Sequence, residues 1–253
     1  MTIPRSSIID QLVFAVLTVV IVSTAGCSSR GQLKRPQTLT ARHTAVYAVG
    51  PMFNESGTTI PPDDLGSVSD KLVASMNAVG GWSAVPFNRT LQAMKQLGLT
   101  SIQTDEEART LCAVIGVDGI LVGTITAWNP YDPPRFGANL LLVPASSVRA
   151  SELDPSVLYG RTGDRERVGA ALPASSVEPI AITLDLDAVN HATRGELRRY
   201  ARSRLDVTGG FDPPERYYLM IYDRWLEFAA EMAVRDLVIL DDIRSARIDE
   251  PAS

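Results

Sequence analysis

The segment 117–128 restricts the possible folds of this chain more than any other. Its first half is almost uniformly apolar, and it begins to alternate toward Trp128. A strand that is apolar on both sides must be covered on both faces, so the segment predicts a central strand between layers of helices. A proline-rich turn follows at 129–134, and the apolar run 136–143 is predicted to return as the second strand of a hairpin.

The apolar spacing of the other segments predicts alternating strands and helices. Further strands are expected at 46–56 (with its loop), 82–87 and 181–188, and helices near 63–79, 88–97, 105–115, 193–204 and 212–237. Thr104 with Glu107, and Thr193 with Glu196, have the spacing of capping boxes. The order β-α-β-α-α-β-β-β-α-α predicts an α/β fold, a three-layer or two-layer sandwich with a mixed β-sheet of about five strands flanked by helices.

An apolar run at 12–22 follows the positive charges of Arg5 and the amino terminus. Eleven residues are too few for a helix across ~30 Å of hydrocarbon, which takes ~20, but they suit a signal peptide. The run ends in a small-small-Cys triplet at Cys27, which resembles the lipobox of bacterial lipoproteins. The resemblance implies cleavage before Cys27, acylation of that residue (palmitate) and, from Ser28, the outer membrane. A plain secretory signal or an N-terminal membrane anchor are the alternatives.

These features predict the organisation of the chain. We expect a lipoprotein signal peptide at 1–26, a flexible tether at 27–44, a single α/β domain at 45–240 with a long irregular loop at 144–180, and a tail at 241–253. Removal of 1–26 removes one cation and one anion, so the net charge stays at −5. An acidic protein exported from the cytoplasm is not expected to bind nucleic acid.

Two short motifs resemble a known group of proteins. The hexapeptide PMFNES at 51–56, and the later run around Asp118, Gly119, Gly123 and Ile125, are similar to motifs of bacterial envelope lipoproteins. That group comprises the curli secretion proteins, the outer-membrane activators of penicillin-binding proteins and the N-terminal domain of the Tol–Pal translocation protein. The resemblance covers roughly residues 44–240. It implies an α/β domain that faces the periplasm and has envelope partners.

A curli-type pore is not expected. Transmembrane strands need ~9–11 alternating residues each, and the predicted strands at 138–143 and 181–188 are shorter. The glycines of the second motif are expected to let a helix pack closely on the strand. Asn54 and Ser56 are expected to bond the backbone of a turn.

Residue patterns for catalysis or metal binding are missing from the sequence. There is no P-loop, no G-x-S-x-G and no G-x-G-x-x-G, and His43 and His191 lack partners at ligand spacing. We therefore expect no cofactor, no metal and no enzymatic activity. Cys112 is expected to be a buried structural thiol. Asp185 and Asp187 share one face of a predicted strand and could serve as an acid–base pair, but solvated strand positions explain them better.

Three surfaces are candidates for contact with a partner protein. Trp128, Tyr131 and Phe136 cluster at the tip of the predicted hairpin, where they either form an exposed aromatic patch or pack under the turn. The helix near 193–204 carries Arg198, Arg199 and Arg202, which either contact an acidic partner or lie on a solvated face. The loop at 144–180 is the third.

The sequence thus predicts a non-enzymatic envelope lipoprotein, anchored in the bilayer through acylated Cys27, whose domain binds a periplasmic or envelope protein. One alternative is a subunit of an oligomeric secretion or assembly complex. The other is a periplasmic hydrolase or sugar-binding domain that uses Asp185 and Asp187.

Overall fold

The computed structural model describes residues 39–145, 178–204 and 211–249. Five strands and six helices lie in these ranges, in the order β1 (Thr40–Asn54), α1 (Pro62–Asn77), β2 (Gly80–Ala84), α2 (Phe87–Gln96), α3 (Asp105–Ile115), β3 (Gly119–Asn129), β4 (Arg135–Pro144), β5 (Ile180–Asp187), α4 (His191–Ser203), α5 (Glu215–Met220) and α6 (Tyr222–Asp249). The strands form one mixed sheet in the order β2-β1-β3-β4-β5. The predicted α/β class is confirmed.

The hairpin predicted from the central strand is confirmed. β3 lies between β1, to which it is parallel, and β4, to which it is antiparallel. β3 and β4 pair from Gly119↔Pro144 to Asn129↔Arg135, and β5 continues the antiparallel order. The first half of the sheet is therefore built by parallel crossovers through helices, and the second half by antiparallel pairing.

Helices cover both faces of the sheet at its centre. Leu121 of β3 packs in the larger core with Trp225 and Leu237 of α6. The neighbouring Ile120 points to the opposite face, into a smaller core with Leu111 of α3. The start of β3 is thus buried on both faces, as the uniformly apolar sequence predicts.

Two predicted boundaries of the domain are wrong. β1 begins at Thr40, inside the predicted tether, and α6 extends to Asp249, inside the predicted tail. These two segments contact each other. His43 Nε2 lies 3.1 Å from Oδ2 of Asp241, whose side chain is fully buried, and Asp242 Oδ1 accepts the N–H of Arg42 at 3.0 Å.

The domain is longer than predicted because β1 extends beyond the part of it that pairs with β3. β2 pairs with the first half of β1 on one side, whereas β3 pairs only with the second half on the other side. Backbone donors along the free side need acceptors. Asp242 supplies one to Arg42, and Asp118 Oδ2 accepts the N–H of Val46 at 2.8 Å.

One predicted capping box is confirmed, a second is wrong, and one predicted helix is divided in two. The Thr104–Glu107 capping box is present. The box predicted at Thr193 is wrong, because Asn190 Oδ1 caps α4 by accepting the N–H of Ala192 at 2.8 Å. The single helix predicted from residue 212 is two helices, since Ile221 between α5 and α6 has extended backbone angles.

Some predictions concern residues outside those that the structure describes. They are the signal peptide at 1–26, Cys27 and most of the tether, residues 146–177 of the loop, and the last four residues. Within the described ranges, no helix combines the length and hydropathy that a bilayer span requires.

Candidate partner-binding site

The aromatic residues of the β3–β4 hairpin separate into core and surface. Trp128 and Phe136 are only 8% and 4% exposed. The Trp128 ring lies edge-on to the ring of Phe136, with centroids 6.2 Å apart, and to that of Tyr222 at 4.8 Å. Their predicted role as exposed contacts is therefore wrong, because α6 covers this end of the hairpin. Tyr131 is 77% exposed and remains a candidate.

Hydrogen bonds within the turn fix the position of Tyr131. Asn129, the last residue of β3, donates from Nδ2 to the carbonyl oxygen of Pro133 at 2.9 Å. Its Oδ1 accepts the N–H of Tyr131 at 3.2 Å. One side chain thus ties both ends of the turn, so Tyr131 projects from an ordered support.

A cleft lies between this turn and helices α4 and α5, which we call the arginine cleft. It encloses about 470 Å³. Its charged lining consists of Arg194, Arg198, Arg216, Asp132 and Glu215, and apolar side chains including Leu219 and Met220 complete it. The fold thus brings two surfaces predicted from sequence, the hairpin turn and the arginine-bearing helix, to a single site.

No carboxylate among the described residues forms an ion pair with the arginines of this cleft. Arg198 donates from Nε to the carbonyl oxygen of Arg194 at 3.3 Å, which uses one of its five N–H donors. The ion pairs found among the described side chains involve other arginines. Among the described residues, three cations against two carboxylates give the lining a formal charge of +1.

The other two predicted arginines lie outside the cleft. Arg199 forms an ion pair with Glu196, which also contacts Arg235 at 3.4 Å. Arg202 is exposed one turn beyond Arg198 and does not line the cleft.

Two lining arginines were missed by the sequence reasoning. Arg194 could have been found, because it stands four residues before Arg198 on the same helix face. Arg216 carries no such signal, since only the tertiary packing of α5 brings it to the cleft.

A second cleft has a different electrostatic character. It encloses about 750 Å³ between α1, α4 and α6, and we call it the charge-paired cleft. Lys71 Nζ lies 2.8 Å from Asp223 and 3.5 Å from Glu227. Arg204 pairs with Glu231 and stacks over the ring of Tyr200 at 4.7 Å. Both cations among the described lining residues are thus paired with carboxylates.

Asp185 and Asp187 do not form an acid–base pair in a cleft. Asp185 accepts two hydrogen bonds from Arg135, from Nε and Nη2, both at 3.1 Å. Asp187 Oδ1 accepts the N–H of Val189 at 2.7 Å. The alternation of β5 is as predicted, with Leu184 and Leu186 buried and the carboxylates on the opposite face. Neither carboxylate lines the arginine cleft or the charge-paired cleft.

The end of the PMFNES motif, from Asn54 to Ser56, forms a turn, as predicted. Asn54 Oδ1 accepts hydrogen bonds from the N–H and Oγ of Ser56, and Asn54 Nδ2 donates to the carbonyl oxygen of Thr58 at 2.7 Å. These residues have a structural role in ending β1.

The second motif is also structural, but for a reason other than the one predicted. A Cβ atom at Gly123 would lie 2.4 Å from Leu140 and 2.8 Å from the carbonyl oxygen of Asn139. Glycine is therefore required by the neighbouring strand β4, rather than by a helix packed on β3.

Cys112 is a buried thiol, as expected. It is fully buried in α3, and burial, followed by the nearby charge of Asp118, raises its pKa to about 12. A thiol with so high a pKa is a poor nucleophile. Across residues 39–145, 178–204 and 211–249, no three His, Cys, Asp or Glu side chains are grouped as metal ligands.

Comparison with known proteins gives structural but no sequence matches. No family model matches the chain. No curated protein matches it either. The structure is similar to the LpoB C-terminal domain of Salmonella enterica, at 14% identity and a TM-score of 0.34, over 58% of this chain and 86% of that one.

Two further structures are similar. One is lipoprotein GNA1162 of Neisseria meningitidis, with 18% identity, a TM-score of 0.35, and coverage of 62% and 92% of the two chains. The other is the hypothetical protein CT253 of Chlamydia trachomatis, with 8% identity, a TM-score of 0.33, and coverage of 81% and 95%. At these identities and TM-scores the likeness assigns neither a family nor a partner.

Proposed function

We propose that this chain is a lipid-anchored protein of the bacterial envelope that acts by binding another envelope protein and not by catalysis. The arginine cleft is the observation that carries the proposal. It combines exposed cations without carboxylate partners among the described residues, apolar lining and the exposed ring of Tyr131 beside Asp132. Arginine and aromatic residues are enriched at the energetic centres of protein interfaces.

The N-terminal sequence supports the cellular part of the proposal. The apolar run at 12–22 and Cys27 give the chain a lipidation site. More than one acyl chain, at ~0.8 kcal/mol per buried CH₂, anchors a protein stably. Ser28 supports the outer membrane as its location, with the α/β domain on the periplasmic side. Metabolic labelling with palmitate should mark the wild-type chain and not Cys27→Ser.

Photo-crosslinking in the source bacterium tests the binding part. A photoreactive residue at position 131 should give one discrete product with another envelope protein. The matched control is position 114, where Val114 is 47% exposed on α3 in a different part of the surface. Equal products from both positions, or none from position 131, would contradict the proposal. A product of twice the chain mass would favour the alternative of an oligomeric assembly subunit.

A further inference from the structure

The chemistry of the arginine cleft identifies the kind of segment that it can bind. We infer that its occupant is an acidic peptide segment in which carboxylates stand on both sides of a large apolar side chain. The inference rests on the proposed function and deepens it, because it specifies which feature of a partner protein enters the cleft.

The charged part follows from the guanidinium groups. Arg194 and Arg198 lie on one face of α4, and Arg216 comes from α5, so cations border the cleft on two sides. A planar guanidinium presents donors in a fork that matches a carboxylate, and such bidentate bonds are stronger than bonds between neutral groups. Two or more carboxylates with a gap between them would satisfy this arrangement, whereas a single small anion would leave one side unpaired.

The apolar part follows from the lining between the arginines. Leu219 is partly exposed and Met220 is 63% exposed. A methionine adapts to varied apolar shapes. At about 470 Å³ the cleft lies within the ~300–1,000 Å³ of typical ligand pockets and admits an inserted side chain. An apolar residue between the carboxylates would cover Met220 while the carboxylates reach the arginines.

The same lining argues against an anionic membrane surface as the occupant. Asp132 and Glu215 stand among the arginines, so a continuous anionic surface would meet carboxylates as well as cations, whereas a segment with separated carboxylates can avoid them. A flat bilayer also gives no reason for a concave site, since polybasic membrane contacts act through exposed charge alone. The two carboxylates instead determine the position in which a peptide segment can bind, because they exclude any position that places the segment's own carboxylates opposite them.

Fluorescence anisotropy with the full-length acylated chain in detergent micelles tests the inference. The probes are an eight-residue peptide of Glu with two Phe residues, its Lys-for-Glu counterpart and its Ser-for-Phe counterpart. The first should bind saturably, and each counterpart should bind at least about fivefold more weakly. Arg198→Ala and Arg216→Ala should each weaken binding of the first peptide about five- to tenfold. Arg202→Ala, on the same helix as Arg198 but outside the cleft, should change the affinity for the first peptide less than about twofold.

Several results would overturn the inference. Equal losses from Arg202→Ala and Arg198→Ala would mean diffuse electrostatic attraction. Equal binding of the Phe and Ser peptides would remove the apolar requirement. The acyl anchor binds any vesicle, so a membrane contact would instead appear as binding to phosphatidylglycerol vesicles that Arg198→Ala weakens, with no binding of the acidic peptide. If position 131 crosslinks an envelope protein but no acidic peptide binds, this inference fails and the proposed function stands. If peptides bind but position 131 gives no product, the proposed function fails instead.

Discussion

The arginine cleft and the charge-paired cleft differ in where their cations find counter-charges. In the charge-paired cleft, Lys71 lies between Asp223 and Glu227, and Arg204 pairs with Glu231. In the arginine cleft, Arg194, Arg198 and Arg216 have no such partner among the residues that the structure describes. Charges that are neutralised internally stabilise the fold, while charges left unpaired remain available to a partner. The two clefts should therefore respond to mutation in opposite ways.

The largest expected effect is a charge reversal in the charge-paired cleft. Lys71 is only 13% exposed, and Lys71→Glu would place a third carboxylate beside Asp223 and Glu227. We expect a loss of about 2–3 kcal/mol in the free energy of unfolding, since the lost attraction is replaced by repulsion. Urea denaturation measures it. Lys95→Glu, on the exposed surface of α2, is the control and should cost less than about 1 kcal/mol.

Restoration of the charge pattern provides the second half of this test. Adding Asp223→Lys to Lys71→Glu should recover part of the lost stability, because opposite charges again face each other and the Arg224–Glu227 ion pair is left intact. If the reversed pair is no more stable than Lys71→Glu alone, packing of the lysine stem and not its charge supports this cleft.

We expect the stability of the protein at alkaline pH to depend on Tyr200 in the charge-paired cleft. Burial, opposed by Arg204, raises the pKa of its hydroxyl above the ordinary 10. The unfolded chain therefore loses this proton first, and the stability due to the neutral hydroxyl, complete below pH 10, is lost as the pH rises. At pH 11 the wild type should have lost about 1 kcal/mol through this group. Tyr200→Phe should lose correspondingly less between pH 9 and pH 11, with Tyr131→Phe as the exposed control. Equal pH profiles for Tyr200→Phe and wild type would contradict the assignment.

A smaller effect is expected from the coupling of individual charge pairs. Arg204→Ala and Glu231→Ala should show a coupling energy of about 0.5–1 kcal/mol in a double-mutant cycle, because both side chains are partly exposed. Arg198→Ala and Glu215→Ala, from the arginine cleft, should show a coupling near zero. A larger coupling in the second cycle would mean that the arginine cleft is also neutralised from within.

The sequence predicts the parts of this molecule that depend on local patterns. The start of β3 is apolar on both faces and predicts the central strand, and the spacing of Thr104 and Glu107 predicts a helix start. Both signals depend only on residues close together in sequence, so they can be recognised without any information about tertiary contacts.

The parts that were missed depend on distant partners. The sequence predicts His43 in a tether and Asp241 in a tail. The two residues contact each other because α6 extends past the side of β1 that lacks a strand partner. Trp128 and Phe136 are both buried, because Tyr222 of α6 packs on Trp128 and Trp128 packs on Phe136. Arg216 joins the arginine cleft only through the packing of α5. Contacts between segments far apart in sequence leave no periodic trace, so the cleft as a unit could not be predicted.

The smallest expected effect is on the stability of the arginine cleft itself. Arg194→Ala, Arg198→Ala and Arg216→Ala should each change the free energy of unfolding by less than about 0.5 kcal/mol, because no described carboxylate loses a partner. At low ionic strength the change should be neutral or slightly stabilising, since removal of one cation relieves repulsion by the other two, and 0.5 M salt should abolish it. Urea denaturation at both salt concentrations measures this. A loss above about 1 kcal/mol would show that the arginines hold the fold together, and any weaker peptide binding by these variants would then have a structural cause.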